Sequence, residues 1–225
     1  IATSMDGKVA LSDRKKRWLT GGPMRRYVHL LRSQNDAIVT GVGTVISDDP
    51  RLNCRIEGIE GDSPPIYVFD RLLRTPRTAK LFKSKNNVTF FCGGSATEQR
   101  RDELMAAGAS IVQLPDDAVG KPDVNAGMQY LGTKGVNRVL IEAGPGIVTS
   151  MFAADTIDRI YWTQSNHILG ANGLAAVDYL GGTELANDMT ALLEKKYFQS
   201  NYRMIGDDRL VTLTKSHLDD LKTGV

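Results

Sequence analysis

This chain of 225 residues has little of several features that mark whole classes of proteins. Its two cysteines, Cys54 and Cys92, stand far apart, without a CxxC pattern or a nearby histidine cluster. They therefore give no sign of a zinc site or of a disulfide framework. No apolar run approaches the roughly 20 residues that cross a bilayer, and no signal sequence opens the chain. These absences predict a cytoplasmic protein with no metal and no membrane partner.

Neither sign of charge is in excess. Lysine and arginine number 28, aspartate and glutamate number 26, and the formal net charge is +2 without a long basic run. Composition thus offers no support for a nucleic-acid partner. Hydrophobic residues make up 41% and charged residues 24%, which is ordinary for a globular chain. We predict one domain over residues 1–225 and, because Ile1 falls inside an apparent strand, further residues upstream of it.

Short apolar runs alternate with amphipathic segments along the first two thirds of the chain. Runs bounded by turn residues predict buried strands at 66–69, 88–91, 110–114 and 138–141. Helical spacing and capping residues predict helices at 22–34 and 97–108, one that Asp123 caps and one that Gly146 opens. This alternation predicts an α/β fold with a mostly parallel central sheet and helices on both faces.

The pattern changes after Asp158. Three strand-like runs at 160–163, 195–198 and 210–214 follow with few helices between them, which predicts an antiparallel edge that closes the sheet. Trp162, Tyr197 and Phe198 could bury this edge against a twofold partner, or they could serve as ordinary core residues.

The stretch 41–55, GVGTVISDDPRLNCR, carries the first chemical signal. It follows an apolar run and combines glycines with Thr44, the acidic pair Asp48 and Asp49, and Arg55. Glycine lets a ligand approach the backbone closely, so a strand end with this polar set indicates a binding site. A tight turn with a solvated acidic pair explains the same residues equally well.

A second signal is the stretch 142–150, EAGPGIVTS, directly after the predicted strand ending at Ile141. A glycine-rich junction at the start of a helix offers backbone N–H groups at the positive end of the helix dipole, which suits a pyrophosphate. It is not the GxGxxG pattern of a Rossmann domain, and it lies late in the chain. Taken alone, these glycines could also form a simple structural turn.

The N-terminal part adds SMDGKVA at 4–10, WLTG at 18–21 and HLLRSQNDAI at 29–38, with a basic helix stripe that includes Arg25, Arg26, His29 and Arg32. In this order, and followed by GVGTVISDDPRLNCR and IEAGPG, these motifs resemble the riboflavin-biosynthesis reductases. That family acts on 5-amino-6-(5-phosphoribosylamino)uracil, and the match spans about residues 1–150. The resemblance implies a dihydrofolate-reductase-like fold and NADPH. In bacteria such a reductase is usually the C-terminal part of a bifunctional deaminase-reductase, whereas this chain has no HxE and PCxxC zinc pattern.

The resemblance also implies site residues. Contacts to NADPH fall on Ala2, Trp18, Thr44, Asp48, Arg71, Gly144, Pro145, Gly146, Ile147, Val148, Thr149 and Ser150. Contacts to the phosphorylated pyrimidine substrate fall on Lys16, Arg32, Leu52, Arg55 and Glu142. Lys16 replaces the small hydroxyl residue that relatives often carry at its position, which makes its phosphate contact a departure from the pattern.

Physical roles agree with these assignments, and each has a plainer alternative. Forked guanidinium donors suit a dianionic phosphate, so Arg32 and Arg55 are suitable anchors; as charged residues they could instead be exposed. Arg71 could meet the 2′-phosphate of NADPH or stand in a solvated turn. Trp18 could form a wall of the cofactor cleft or belong to the core.

The predicted reaction needs a hydride acceptor and an acid. It opens the ribosyl ring to an imine-like C1′, which accepts hydride and becomes part of a ribityl chain. Asp48 and Glu142 are the catalytic candidates, since a carboxyl group at a strand end can be partly desolvated. Asp48 is favoured as the acid, Glu142 as a substrate hydrogen-bonding group, and Asp49 as a bystander.

Three other functions stay open at this point. The substrate could be the diaminopyrimidinone that is not yet deaminated, because base identity depends on a few pocket atoms. A dihydrofolate-type reductase would share fold and cofactor, although a folate has less use for Arg32 and Arg55. The chain could also be a non-catalytic NADP-binding module.

The family resemblance further implies a homodimer.

Overall fold

The computed structural model of this chain describes residues 1–11, 18–59, 63–84, 86–177 and 196–216. The chain divides into two compact units. Unit 1 comprises Ile1–Arg25 and Val148–Val225, and unit 2 comprises Arg26–Ile147. Two helices, α1 (Gly22–Ser33) and α5 (Pro145–Ala153), contribute residues to both units.

Unit 2 is built on a parallel sheet. Its strands are β3 (Ala37–Gly41), β4 (Ile66–Phe69), β5 (Val88–Cys92), β6 (Ala109–Gln113) and β7 (Val139–Ile141). They lie in the order β6-β5-β4-β3-β7, and every neighbouring pair is parallel. The strands predicted from apolar runs are thus confirmed to within about one residue at each end.

Helical segments cover both faces of this sheet. They are α2 (Val42–Asp48), a 3₁₀ helix (Lys80–Lys83), α3 (Glu98–Ala106) and α4 (Val124–Thr133). On one face, Ile66 and Val68 of β4 belong to a buried cluster that includes members from α2, the 3₁₀ helix and α3: Val45, Leu81 and Leu104. On the other face, the ring of Phe91 contacts Tyr130 of α4. Alternate strand residues therefore point to opposite layers, and the predicted α/β architecture is confirmed.

Side-chain caps fix the starts of two helices. The Thr97 hydroxyl accepts the Arg100 N–H at 3.4 Å, and the Asp123 carboxylate accepts the Ala126 N–H at 2.7 Å. Each cap satisfies a backbone donor that has no partner inside its helix. Both predicted capping residues are confirmed.

Unit 1 contains a four-stranded sheet in the order β1-β8-β11-β10. Its strands are β1 (Ala2–Thr3), β8 (Arg159–Gln164), β10 (Tyr197–Ile205) and β11 (Asp208–Lys215). The pairs β8–β11 and β10–β11 are antiparallel as predicted, whereas β1–β8 is parallel. A further antiparallel pair joins β2 (Lys8–Leu11) to β9 (Gly173–Ala175).

The predicted antiparallel edge needs one correction. Its strands do not extend the parallel sheet but form this separate sheet, since β8 hydrogen-bonds to β1 and β11. Lys195, the first residue of one predicted strand, lies outside the described residues. Among the described residues, no helix combines the length and apolar character needed to span a membrane.

Candidate functional site

The site lies at the switch point of the parallel sheet of unit 2, where the order in which successive strands are added reverses. From β3 the sheet proceeds through β4, β5 and β6 on one side, while β7 pairs with β3 on the other. In open α/β sheets, ligands bind outside the carboxyl ends of the strands at such a switch point. The segment after β3 is 42–55 and the segment after β7 is 142–147, so the two glycine-rich motifs meet there.

Hydrogen bonds join the two motifs directly. The Thr40 hydroxyl donates to the Glu142 carbonyl at 2.7 Å, and the Gly144 N–H donates to the Thr44 hydroxyl oxygen at 3.0 Å. The oxygen of Thr44 acts as the acceptor in this bond, so its hydroxyl proton can still be donated to an acceptor atom of a ligand. Two predicted cofactor residues, Thr44 and Gly144, thus lie in contact.

Gly41 allows the same region to pack closely. A Cβ built on Gly41 would lie 2.7 Å from Cγ1 of Ile147, which is closer than carbon atoms approach without displacement. The absence of a side chain at the end of β3 therefore lets the first turn of α5 pack against the strand. Gly41 therefore allows two elements to pack closely, whether or not a ligand also approaches its backbone.

The segment after Gly41 differs from the prediction of a strand end and a turn, because it forms α2. Asp48 is the last residue of this helix and is exposed, with the Ser47 hydroxyl donating to it at 3.0 Å. The expectation that Asp48 sits desolvated at a strand end is therefore wrong. Asp49 follows with φ of 44°, accepts the Lys80 N–H at 2.8 Å and pairs with the Lys80 ammonium, as suits a structural bystander.

Arg32 and Glu142 form a forked ion pair in the site. Nε of Arg32 donates to Oε1 of Glu142 at 2.6 Å, and Nη2 donates to Oε2 at 2.7 Å. Arg32 is only 9% exposed. Burial disfavours its charge, but the hydrogen bonds and the negative charge of Glu142 outweigh that cost and raise the pKa of Arg32. The alternative of Arg32 as an exposed helix residue is wrong.

A third donor of Arg32 reaches a turn that precedes Arg55. Nη1 of Arg32 donates to the Asn53 carbonyl at 2.8 Å, and Nδ1 of His29 lies 3.0 Å from the same oxygen. The preceding residue, Leu52, has a left-handed backbone with φ of 51°, and its side chain is buried in the core. Any contact of Leu52 with a ligand therefore comes from its backbone rather than from its side chain.

Arg55 lies beside other cations. Arg55 is exposed overall, but part of its side chain is shielded from water. This partial burial, followed by the positive charges of Arg32 and Arg51, lowers the pKa of Arg55. Within the described residues, no carboxylate forms an ion pair with Arg55 or Arg51. Positive charge on Arg51 and Arg55 that these carboxylates leave unbalanced favours an anionic ligand. Arg51 and Asn53 were not singled out from the sequence, where nothing distinguishes them from loop residues.

A second polar region lies at the carboxyl ends of β4 and β5. Asp70 is fully buried and accepts the backbone N–H and the hydroxyl of Thr75, at 2.8 and 2.9 Å. Arg71 follows it, and its guanidinium lies against Gly120, where a built Cβ would come within 3.3 Å of it. The Gly93 N–H donates to the Arg71 carbonyl at 3.1 Å. Glycine backbone around an arginine can accommodate a bulky phosphorylated ligand.

Pro145 and Gly146 lie at the start of α5 in unit 2, and the other predicted residues belong to unit 1 or to parts that the structure does not describe. Ala2 is exposed on β1, and Trp18 is 61% exposed, with the Arg25 guanidinium 4.8 Å from its ring centre. Val148 is buried in α5, where Thr149 and Ser150 are half-buried. Lys16 lies outside the described residues. Among the described residues, no cluster of three or more His, Cys, Asp or Glu side chains could hold a metal ion.

The geometry fits a nicotinamide dinucleotide. The glycine-rich junction at Gly144 leads into the N-terminus of α5, and the positive end of a helix dipole suits a pyrophosphate. Thr44 offers a hydroxyl proton next to this junction, and Arg71 offers a cation at the neighbouring strand end. Arg32, Glu142 and Arg55 add charged groups that can bind a polar, anionic ligand.

Comparisons with known proteins agree with this picture. A pyrimidinone 5′-phosphate reductase of Methanothermobacter thermautotrophicus is 27% identical over 215 residues, covering 95% of this chain and 94% of that protein. The riboflavin biosynthesis protein RibD of Escherichia coli is 27% identical over 194 residues, covering 83% of this chain and 52% of that protein. This chain thus spans about half the length of the RibD relative and most of the archaeal reductase.

Solved structures show the fold. RibD of Acinetobacter baumannii superimposes with a TM-score of 0.76 at 24% identity, covering 96% of this chain and 56% of that one. A riboflavin biosynthesis reductase from Saccharomyces gives a TM-score of 0.68 at 16% identity, covering 96% and 87%. The predicted dihydrofolate-reductase-like α/β fold is confirmed. The family model of the RibD C-terminal domain matches residues 1–199, and this chain therefore belongs to the RibD C-terminal domain family.

Proposed function

We propose that this chain catalyses the NADPH-dependent reduction of 5-amino-6-(5-phosphoribosylamino)uracil, converting its ribosyl group to a ribityl chain in riboflavin biosynthesis. One observation carries the proposal. The ion pair of buried Arg32 with half-buried Glu142 lies beside Arg55, which pairs with no carboxylate of the described residues, at the switch point of a parallel sheet. This arrangement offers an anchor for a phosphate next to acceptors for the polar groups of a sugar or base.

On the substrate side, Arg55 is the proposed phosphate anchor, and Arg51 strengthens the positive potential there. Arg32 has three donors already engaged by Glu142 and Asn53, so it acts chiefly by orienting the Glu142 carboxylate and adding charge. Glu142 is the proposed acceptor of hydrogen bonds from the substrate. Leu52 contributes backbone, and Lys16 keeps its proposed phosphate contact.

On the cofactor side, NADPH supplies the hydride that reduces C1′ of the sugar. Within unit 2, Thr44, Gly144 and the α5 residues Pro145 to Ile147 are the proposed holders of the nicotinamide and pyrophosphate part. Arg71 is proposed to bind the 2′-phosphate, which would give a preference for NADPH over NADH. The cofactor roles of Ala2, Trp18, Val148, Thr149 and Ser150 remain proposals from the family resemblance.

The chemistry also needs a proton at the ring oxygen when the sugar opens. Asp48 is the proposed donor. Asp48 is exposed, so desolvation does not support this role. The role depends instead on the place of Asp48 in the family motif, four residues after Thr44 on the same helix.

A parallel assay tests the function. NADPH oxidation is measured with the phosphoribosylamino-uracil, with the non-deaminated diaminopyrimidinone and with dihydrofolate, and the first is repeated with NADH. We expect oxidation with the uracil compound and slower reaction with NADH. Turnover of dihydrofolate alone would identify a folate reductase. Binding of NADPH without oxidation in any arm would identify a non-catalytic module.

The non-deaminated diaminopyrimidinone is the second candidate substrate. It is favoured by the names of two relatives, from Methanothermobacter thermautotrophicus and Archaeoglobus fulgidus, which are diamino-ribosylamino-pyrimidinone 5′-phosphate reductases. Both compounds carry the same phosphoribosylamino group, so the Arg55 and Glu142 contacts serve either. The ratio of kcat/KM values for the two compounds in the same assay decides between them.

Asp48→Asn tests the proposed acid. We expect turnover to fall by about a hundredfold with little change in NADPH affinity, since loss of general acid catalysis typically costs that much. The matched control is Asp49→Asn, because Asp49 pairs with Lys80 and has no proposed role in chemistry. Near-normal turnover of the Asp48 variant would contradict the acid role.

A further inference from the structure

His29 is a residue of the site to which the proposed function assigns no role. It lies on α1 one turn before Arg32 and is half-buried. Nδ1 of His29 lies 3.0 Å from the Asn53 carbonyl oxygen and 3.3 Å from Nη1 of Arg32. Two side chains of one helix face therefore converge on a single carbonyl of the loop after α2.

The distances favour the tautomer of His29 that carries its proton on Nδ1. Nη1 of Arg32 can only donate, and it lies nearer to the Asn53 carbonyl oxygen, at 2.8 Å, than to Nδ1 of His29, at 3.3 Å. A carbonyl oxygen cannot donate, so the short contact with Nδ1 of His29 requires a proton on Nδ1. The Asn53 oxygen then accepts two hydrogen bonds, one on each lone pair.

The charges around His29 keep the ring neutral. Burial, followed by the positive charges of Arg32 and Arg55, lowers the pKa of His29, while Glu142 acts in the opposite direction. A neutral ring with a proton on Nδ1 donates to the carbonyl without placing a further cation next to the two arginines. An arginine or lysine at this position would add such a cation.

The carbonyl that His29 binds belongs to a strained turn. Leu52 has φ of 51°, a left-handed conformation that residues other than glycine adopt at a cost. Such a conformation persists only where its surroundings enforce it. Here the buried Leu52 side chain fixes one side of the turn, and the two donors to Asn53 fix the other.

This turn also sets the position of the phosphate anchor, because Arg55 follows Asn53 by two residues. We infer that His29 is a positioning residue for the phosphorylated substrate, which holds the left-handed turn through the Asn53 carbonyl and so presents Arg55 to the phosphate. The inference rests on the proposed function of this site as a binding site for a sugar phosphate.

A pair of substitutions separates this role from a merely structural one. The side-chain N–H of asparagine lies close to where Nδ1–H of histidine lies, whereas the amide of glutamine extends toward the position of Nε2. His29→Asn should therefore keep the bond to Asn53, and His29→Gln should lose it. The two variants differ by one methylene group and carry the same functional group, so each controls for the other.

The readouts are the KM and kcat for the substrate, and the binding of ribose 5-phosphate measured by calorimetry. Loss of one hydrogen bond predicts about a tenfold rise in KM and about a tenfold weaker binding of ribose 5-phosphate for His29→Gln, with kcat within about twofold. His29→Asn should stay within about threefold of the original protein in each measurement. Arg55→Gln should abolish the binding of ribose 5-phosphate in all backgrounds.

Several results would overturn the inference. These are unchanged binding in His29→Gln, equal losses in both variants, a fall in kcat at constant KM, or no binding of ribose 5-phosphate by the original protein. If no pyrimidine compound is reduced but the two variants still differ in binding ribose 5-phosphate, the proposed reaction fails and the role of His29 stands. The calorimetric arm thus separates the two failures.

Discussion

At the scale of single residues, Arg32 shows how one side chain organises the site. Its guanidinium serves Glu142 with two donors and the Asn53 carbonyl with a third. A planar group with fixed donor directions can satisfy these acceptors together, whereas a lysine ammonium is a point charge on a flexible stem. The position therefore requires arginine and not only a positive charge.

Arg32→Lys tests this requirement. We expect the free energy of unfolding to fall by about 2 kcal/mol, since a mostly buried carboxylate and a carbonyl lose well-directed partners. Denaturant unfolding measures the change. The matched control is Arg26→Lys, an exposed residue of the same helix, which should change stability by less than about 0.5 kcal/mol. Equal effects of the two substitutions would contradict the role of the forked pair.

The neutral state of His29 makes stability depend on pH. Burial, followed by the charges of Arg32 and Arg55, lowers the pKa of His29 below its usual 6.5, so below that value the unfolded chain binds a proton that the folded chain does not. The contribution of neutral His29 to the free energy of unfolding should thus be fully present above pH 6.5 and should decline as the pH falls below that value. Denaturant titrations on both sides of that value measure the decline, and His29→Asn should lack it. The same decline in both proteins would refute this assignment.

At the scale of elements, Gly41 joins the end of β3 to the start of α5. Gly41→Ala would place a Cβ 2.7 Å from Cγ1 of Ile147, and such overpacking should cost about 2 kcal/mol of stability and weaken NADPH binding. Thermal unfolding and fluorescence titration with NADPH measure both effects. The substitution should cost less in an Ile147→Ala background, where Cγ1 is absent.

Gly43→Ala is the control for that experiment. Gly43 lies in α2, and a Cβ built there meets nothing within 4 Å. Alanine in a helix is favoured over glycine by up to about 1 kcal/mol, so this substitution should leave stability unchanged or raised. A loss of stability equal to that of Gly41→Ala would show that the cost does not come from Ile147.

The same region shows where sequence patterns succeed and fail. The strands of the parallel sheet were predictable because apolar runs bounded by turn residues have few other structures available. Helix α2 was not, because Gly41, Gly43 and the β-branched Val42, Val45 and Ile46 disfavour a helix by local propensity. Burial of Val45 against the sheet stabilises it instead. Tertiary packing overrides propensity in a helix this short.

The site residues divide in a similar way. The ordered motifs indicated Arg32, Thr44, Glu142 and Gly144, and the structure brings these residues together through hydrogen bonds. No local pattern could show that Arg32 contacts Glu142 or that His29 and Arg32 share the Asn53 carbonyl, since these contacts depend on the register between a helix, a strand end and a loop. The exposure of Asp48 likewise follows from α2, which the sequence did not reveal.

At the scale of the whole molecule, the homodimer stays a prediction. In the described sheet of unit 1, β10 is the end strand, and its Tyr202 and Met204 are 55% and 52% exposed. Tyr197 is instead buried, and its hydroxyl donates to the Ile157 carbonyl at 2.5 Å. Light scattering over a concentration series should give the mass of two chains, and one-chain mass at every concentration would contradict the dimer.

The ion pair between Arg32 and Glu142 also has a consequence for how the chain is made. Its partners are 110 residues apart, so Arg32 leaves the ribosome first and Glu142 follows after roughly 5 to 20 seconds of synthesis. Until then the guanidinium must remain hydrated, because burial of an unpaired charge is costly. The helix face that carries Arg32 can therefore dock only after β7 has emerged, and a nascent chain that ends before β7 holds most of the parallel sheet but no binding site.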